Sequence, residues 1–112
     1  MEQAEFEVVQ VLAYFYLRNA RPEKSVILLD ALRVLRPENM AVRRALALAQ
    51  IRAGKGQRAL ELLDQLATLD QEEEHFHLMR SEALSLLQRP DEAAAAMRTY
   101  LALRTAKPCS AA

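Results

Sequence analysis

The stretch "SVILLDALRVLRP" at residues 25–37 is followed, 34 positions later, by "ALELLDQLATLDQ" at 59–71. Leu28, Leu29, Asp30, Leu32 and Leu35 recur as Leu62, Leu63, Asp64, Leu66 and Leu69. Five identities at one offset restrict the fold more than any other feature of the chain. A helix-sized unit written more than once at a fixed distance cannot bury its own apolar face, and stacked copies bury one another.

The residues between the copies say what the unit is. Ala, Leu, Arg, Glu and Gln dominate, all good helix formers, and no long Val/Ile/Thr-rich alternation reads as a strand. An all-α chain follows. Turn signals fall at "NARPE" (19–23), "RPEN" (36–39), "AGKGQ" (53–57), "TLDQEE" (68–73) and "LQRPDE" (87–92). They leave six helical segments, about 3–18, 23–35, 39–53, 56–69, 73–87 and 91–105, each with apolar residues at helical spacing. Short connections make consecutive helices antiparallel, so the six form three hairpins. At 112 residues they make one domain, 1–105, with repeats near 6–39, 40–73 and 74–107 and a flexible tail at 106–112.

A helix–turn–helix unit of this length resembles the tetratricopeptide (TPR) repeat. In the first repeat Val9 takes the aromatic place, Leu12, Ala13 and Tyr16 follow at the right intervals, Ser25 and Leu29 sit in the second helix, and Pro37 closes it. In the second, Leu46, Ala47, Ala59 and Leu63 match, while Arg43, Gln50 and Gln71 depart from the pattern. In the third, Ser81, Leu84, Ala93, Met97 and Tyr100 fit, and His77 and Arg80 do not. The small pairs Ala13/Ser25, Ala47/Ala59 and Ser81/Ala93 are expected to let paired helices approach closely. The register predicts a core of Leu12, Ala13, Tyr16, Leu29, Leu32, Leu46, Ala47, Ala59, Leu63, Leu66, Leu84, Ala93, Met97 and Tyr100.

The first helices of a TPR stack line a concave groove. Transferring that geometry puts Tyr14, Leu17 and Arg18 in the groove from the first repeat. Arg44, Leu48, Ile51 and Arg52 come from the second, and Leu78, Glu82 and Leu86 from the third. Six of the ten are apolar or aromatic, a patch that a lone chain covers by self-association or by binding a partner. The first helix is apolar nearly all round, as helices buried on every side are. Leu48 and Ile51, three apart in the middle repeat, are the expected anchors.

Other classes are disfavoured. Zero formal net charge gives no electrostatic footprint for nucleic acid or a membrane surface. The start "MEQAEFE" is acidic, unlike a signal peptide, and the apolar run "VVQVLAYFYL" is about half what a bilayer requires. The single Cys109 excludes an internal disulfide and suits a reducing cytosol. His75 and His77 are two apart and point to different helix faces, a poor metal pair. "AGKGQ" lacks the spacing and the Ser/Thr of a phosphate-binding loop, and no nucleophile–base arrangement is legible. Neither an enzyme nor a cofactor is expected.

The stretch "ILLDALRVLRPENMAVRR" (27–44), then "GQRALE" (56–61) and "YLALR" (100–104), resembles the small TPR-type chaperones of bacterial type III secretion, the YscY (SctY) class above all. The resemblance spans nearly the whole chain, and its specific part is the "LLDAL" segment with the "PE" and "RR" that follow. It implies a cytosolic, non-enzymatic chaperone that holds a small early-secreted export component of the YscX (SctX) class. It also implicates the export-gate protein of the same apparatus. A needle-subunit chaperone and a general TPR adaptor are the alternatives. The adaptor typically clamps a peptide carboxylate with Lys, Asn and Arg, and no Lys or Asn stands at the ten transferred positions.

Overall fold

A computed structural model describes residues 1–69 and 74–106. Among them are six helices: α1 (Gln3–Arg18), α2 (Pro22–Leu35), α3 (Met40–Arg52), α4 (Gly56–Thr68), α5 (Glu74–Leu86) and α6 (Pro90–Ala106). The described residues contain no strand. The expected flexible tail falls almost wholly outside the described residues, as do Cys109, Gln71 and part of the "TLDQEE" turn. Consecutive helices pack in sequence, and α3 also touches α1 and α5.

Each hairpin closes the same way. Ala20, Gly54 and Gln88, 34 residues apart, have φ of 60°, 78° and 57°. After each, the N–H of Arg21, Lys55 and Arg89 donates to the carbonyl of Tyr16, Gln50 and Leu84 at 2.9, 2.8 and 3.0 Å. This is the left-handed cap that ends a helix by tying the chain back to its last turn. Pro22 and Pro90 then open α2 and α6, where a missing N–H is harmless and φ is already helical. At the same register α4 opens with Gly56, because a Cβ there would lie 2.8 Å from the Ala83 carbonyl oxygen and 2.9 Å from Leu86 Cβ. The start of α4 therefore sits against the end of α5. Asn39 caps α3 by accepting from the N–H of Val42 at 3.2 Å.

The paired helices meet where the small residues stand. Ala13, Ser25, Ala47, Ala59, Ser81 and Ala93 are all buried. The Ser25 hydroxyl donates to the Ala13 carbonyl at 2.9 Å, and the Ser81 hydroxyl to the Ala93 carbonyl at 3.0 Å. The repeat copies hold their register: Leu29/Leu63 and Leu32/Leu66 are buried, Leu28/Leu62 half-buried, and Asp30/Asp64 and Leu35/Leu69 exposed.

Two core clusters share α3 as a wall. Phe6, Ala13, Leu29, Leu32, Val42, Leu46 and Ala49 form the first. The second is built on Leu63, Leu66, Phe76, Met79, Ala83 and Leu84, with Ala47 and Ile51 from the other side of α3. Leu62 packs against both. Of the expected core, Tyr16 and Met97 are only half-buried and Leu12 is 41% exposed. Leu12 occupies the register of the buried Leu46, but α2 packs on that face of α3 and no described helix covers the same face of α1.

The departures from the repeat pattern have local causes. Arg80 stands where Leu46 does and pairs with Asp64 of α4 at 2.9 Å. His77 meets Phe76 edge to face at 5.1 Å. Gln50 is buried with its Oε1 unpartnered. Replacing Gln50 with Leu, the residue at the equivalent position 84, should stabilise the fold by about 1 kcal/mol by removing an unmet acceptor.

The left-handed caps generate a second prediction. A non-glycine residue in that conformation costs about 1–2 kcal/mol, and glycine adds about 0.5–1 kcal/mol of unfolded-state entropy. Ala20→Gly and Gln88→Gly should each stabilise the chain by roughly 0.5–1 kcal/mol, the difference of those two effects. Beyond its own chain neighbours, no atom lies within 4 Å of a Cβ built on Gly54. Gly54→Ala should therefore lose a similar amount through backbone strain alone, whereas Gly56→Ala should lose more through its clash with α5. Urea unfolding of the four variants checks the order.

Candidate partner-binding groove

Each odd-numbered helix carries a ridge of residues four apart: Gln10, Tyr14 and Arg18 on α1, Arg44, Leu48 and Arg52 on α3, and Leu78, Glu82 and Leu86 on α5. Side chains four apart stack on one helix face. The three ridges occupy one register of the repeat.

The α3 and α5 ridges converge. A cleft of about 380 Å³ is lined by Arg44, Leu48, Arg52, Leu78 and Glu82, with Ala45, His75 and Met79. Arg52 and Glu82 also line an adjoining cleft of about 520 Å³ that takes in Ile51, Ser81, Ser85, Leu86 and Met97. Seven of the ten expected residues thus border one continuous depression. By register Arg44 aligns with Leu78, Leu48 with Glu82, and Arg52 with Leu86. Leucines and charges alternate like a checkerboard, so a ligand must satisfy both. His75, exposed at the start of α5, is a wall of this cleft. The approach of α3 to α5 brings it there, which local sequence does not encode.

The remaining three residues lie elsewhere. Tyr14 and Arg18 line a separate cleft of about 400 Å³ with Val11, Phe15 and Asn19, all on or just after α1. Tyr14 is half-buried, and its hydroxyl accepts from Gln10 Nε2 at 2.8 Å. Leu17 packs against the first core cluster.

Ile51 requires a correction. It is 7% exposed and belongs to the second core cluster. The packing of the middle repeat against its neighbours already buries this expected anchor within the chain. Leu48 is half-buried and Leu86 is 44% exposed, so these keep surface to offer. The expected apolar exposure is accordingly displaced. Tyr14, Leu17, Leu48 and Leu78 are half-buried, while the most exposed large apolar residues of the first hairpin are Val8, Val11 and Phe15 on α1 and Ile27 and Val34 on α2.

No described helix is long and apolar enough to cross a membrane. No model of a known protein family matches the chain, and no curated protein sequence matches it.

Burial sorts the groove residues into testable groups. Ile51→Asp places a carboxylate in the core and should unfold the chain, since a buried unpaired charge costs several kcal/mol. Leu86→Asp should leave thermal stability within about 0.5 kcal/mol of the parent, as surface substitutions do. Circular dichroism melts of the two variants make the comparison.

Proposed function

We propose that this chain is a cytosolic chaperone of bacterial type III secretion, of the YscY (SctY) class, that holds a small early-secreted component of the YscX (SctX) class. The observation that carries the reading is the depression between α3 and α5, where Leu48, Leu78 and Leu86 alternate with Arg44, Arg52 and Glu82. That surface suits an amphipathic helix better than a small molecule, because its apolar points are spread along two ridges instead of enclosing a cavity. The sequence resemblance supplies the identity of the partner and adds the export-gate protein as a second contact.

The mechanism follows from burial. A secretion substrate must remain exportable, and its apolar segments self-associate when free. Laying one such helix between the ridges removes those segments from water. Each apolar side chain fully buried contributes roughly 1.5–3 kcal/mol before ordering costs. Arg52, exposed at the junction of the two clefts, orients an acidic or carbonyl group and adds more to encounter than to retention. The step is binding and release, and it needs no nucleotide or cofactor.

Co-expression of the chain with its neighbouring genes, followed by identification of what co-purifies, tests the reading. Recovery of a needle subunit in place of the export component would select the rival chaperone role. With the partner in hand, Leu48→Asp combined with Leu86→Asp should abolish capture while helical content is retained. Arg52→Ala should weaken capture by less than tenfold, and more at low salt than at high salt. Capture at parental strength by the folded double variant would place the partner on another face.

A further inference from the structure

Val8, Val11, Leu12 and Phe15 form a stripe along α1, directly opposite the core residues Phe6, Ala13 and Leu17 on the helical wheel. They are 68%, 66%, 41% and 56% exposed. The repeat register explains what kind of face this is. Its equivalents on α3 are Val42, Ala45, Leu46 and Ala49, which join Leu29 and Leu32 of the preceding α2 in the first core cluster or pack against it. Its equivalents on α5 are Phe76, Met79, Arg80 and Ala83. Phe76, Met79 and Ala83 join Leu60, Leu63 and Leu66 of the preceding α4, and Arg80 pairs with Asp64 of that helix. Twice in this fold, then, the same face is covered by an antiparallel helix. On α1 it is uncovered.

We propose that α1 of a second copy covers it, in a two-fold antiparallel pair. The stripe is self-complementary. With the axis midway between Val11 and Leu12, Val8 of one copy meets Phe15 of the other along the centre line, Val11 meets Val11 on one flank, and Leu12 meets Leu12 on the other. The same register brings Glu7 and the mate's Arg18 onto one flank of the seam, once at each end of the pair. Both are exposed and both flank the stripe. Antiparallel placement is the only one that brings the acidic end of α1, with Glu2, Glu5 and Glu7, to the basic end of its mate. Zero net charge on the whole chain leaves no long-range repulsion between copies. The other end of the stack is a poorer occupant. At the stacking register α6 presents Ala94, half-buried Met97 and Leu101 beside Arg98 and Arg104, a small and charged face. A two-fold pair also closes on itself, whereas stacking α6 onto α1 would extend without limit. One helix pair covers less than the ~800 Å² per partner typical of tight complexes, so the dimer should dissociate at micromolar concentration.

This inference does not depend on the groove. Sedimentation velocity of the full chain across a wide concentration range should show monomer and dimer and no larger species. Val11→Glu with Leu12→Glu should abolish the dimer. Glu7→Arg alone and Arg18→Glu alone should each weaken it severalfold, and Glu7→Arg with Arg18→Glu in one chain should restore it, because each residue neighbours the other type on one flank of the pair. Leu48→Asp, in the groove, should leave dimerisation unchanged. The proposal is overturned by a chain that stays monomeric at every concentration, by charge swaps that fail to compensate, or by assemblies that grow past the dimer and are blocked by Leu101→Glu.

Discussion

Everything else in this fold depends on the close crossing of two helices at a pair of small residues. Ala13 against Ser25, Ala47 against Ala59 and Ser81 against Ala93 set the distance within each hairpin, and the large neighbours Leu29, Leu63 and Leu84 fill the space around them. The hydroxyls show how constrained the crossing is. In the first hairpin the serine stands on the second helix and donates to the first. In the third it stands on the first helix and donates to the second. A buried hydroxyl is tolerated only with a partner, and a carbonyl already engaged in its own helix has a second lone pair to give. The same solution on opposite sides means that the crossing point, and not the residue, is what is repeated. The middle hairpin uses alanine on both sides and needs no such bond.

Stacking turns that local constraint into a directional object. Because each hairpin can cover only the next, α3 becomes a wall between two cores and the terminal faces differ from the interior ones. The groove follows from the same geometry. Gly56 lets the start of α4 sit against the end of α5, and this contact helps fix α5, with Leu78, Glu82 and Leu86, beside the ridge of α3. A bulkier residue at position 56 acts on the groove without touching it.

The helices, their boundaries to within one or two residues and the small-residue crossings were legible because they are local properties: turn chemistry, helical spacing and a fixed offset. The αL caps at Ala20 and Gln88 were not legible, since only Gly54 carries the residue that such a position favours. Leu12 and Ile51 were misread for one shared reason. Register says which face a residue occupies, but burial depends on whether a neighbouring helix is there. Leu12 lies at the end of the stack and is exposed, and Ile51 lies in its middle and is buried. Six of the groove residues were legible as a set because α3 and α5 repeat one ridge. Tyr14, Leu17 and Arg18 were drawn in by the same register, yet they do not line the cleft that α3 forms with α5. His75 entered from the helix start, where no ridge position predicts it.

These placements constrain how strongly the groove can hold anything. Leu48 and Leu78 are already half-buried in the free chain, so covering them yields only part of the gain expected for a fully exposed side chain. Arg44 and Glu82, also half-buried, have less water left to lose than fully exposed charges. Affinity must therefore be gathered along the length of the cleft. From Leu78 to Leu86 is eight residues, ~12 Å along the helix axis at 1.5 Å per residue. A partner segment of two to three helical turns matches that span, with apolar residues at spacings of three and four against the leucines and charges between them against Arg52 and Glu82. Shorter apolar peptides would reach one leucine at a time and bind weakly. The alternation along the ridges is thus a length filter as well as a chemical one.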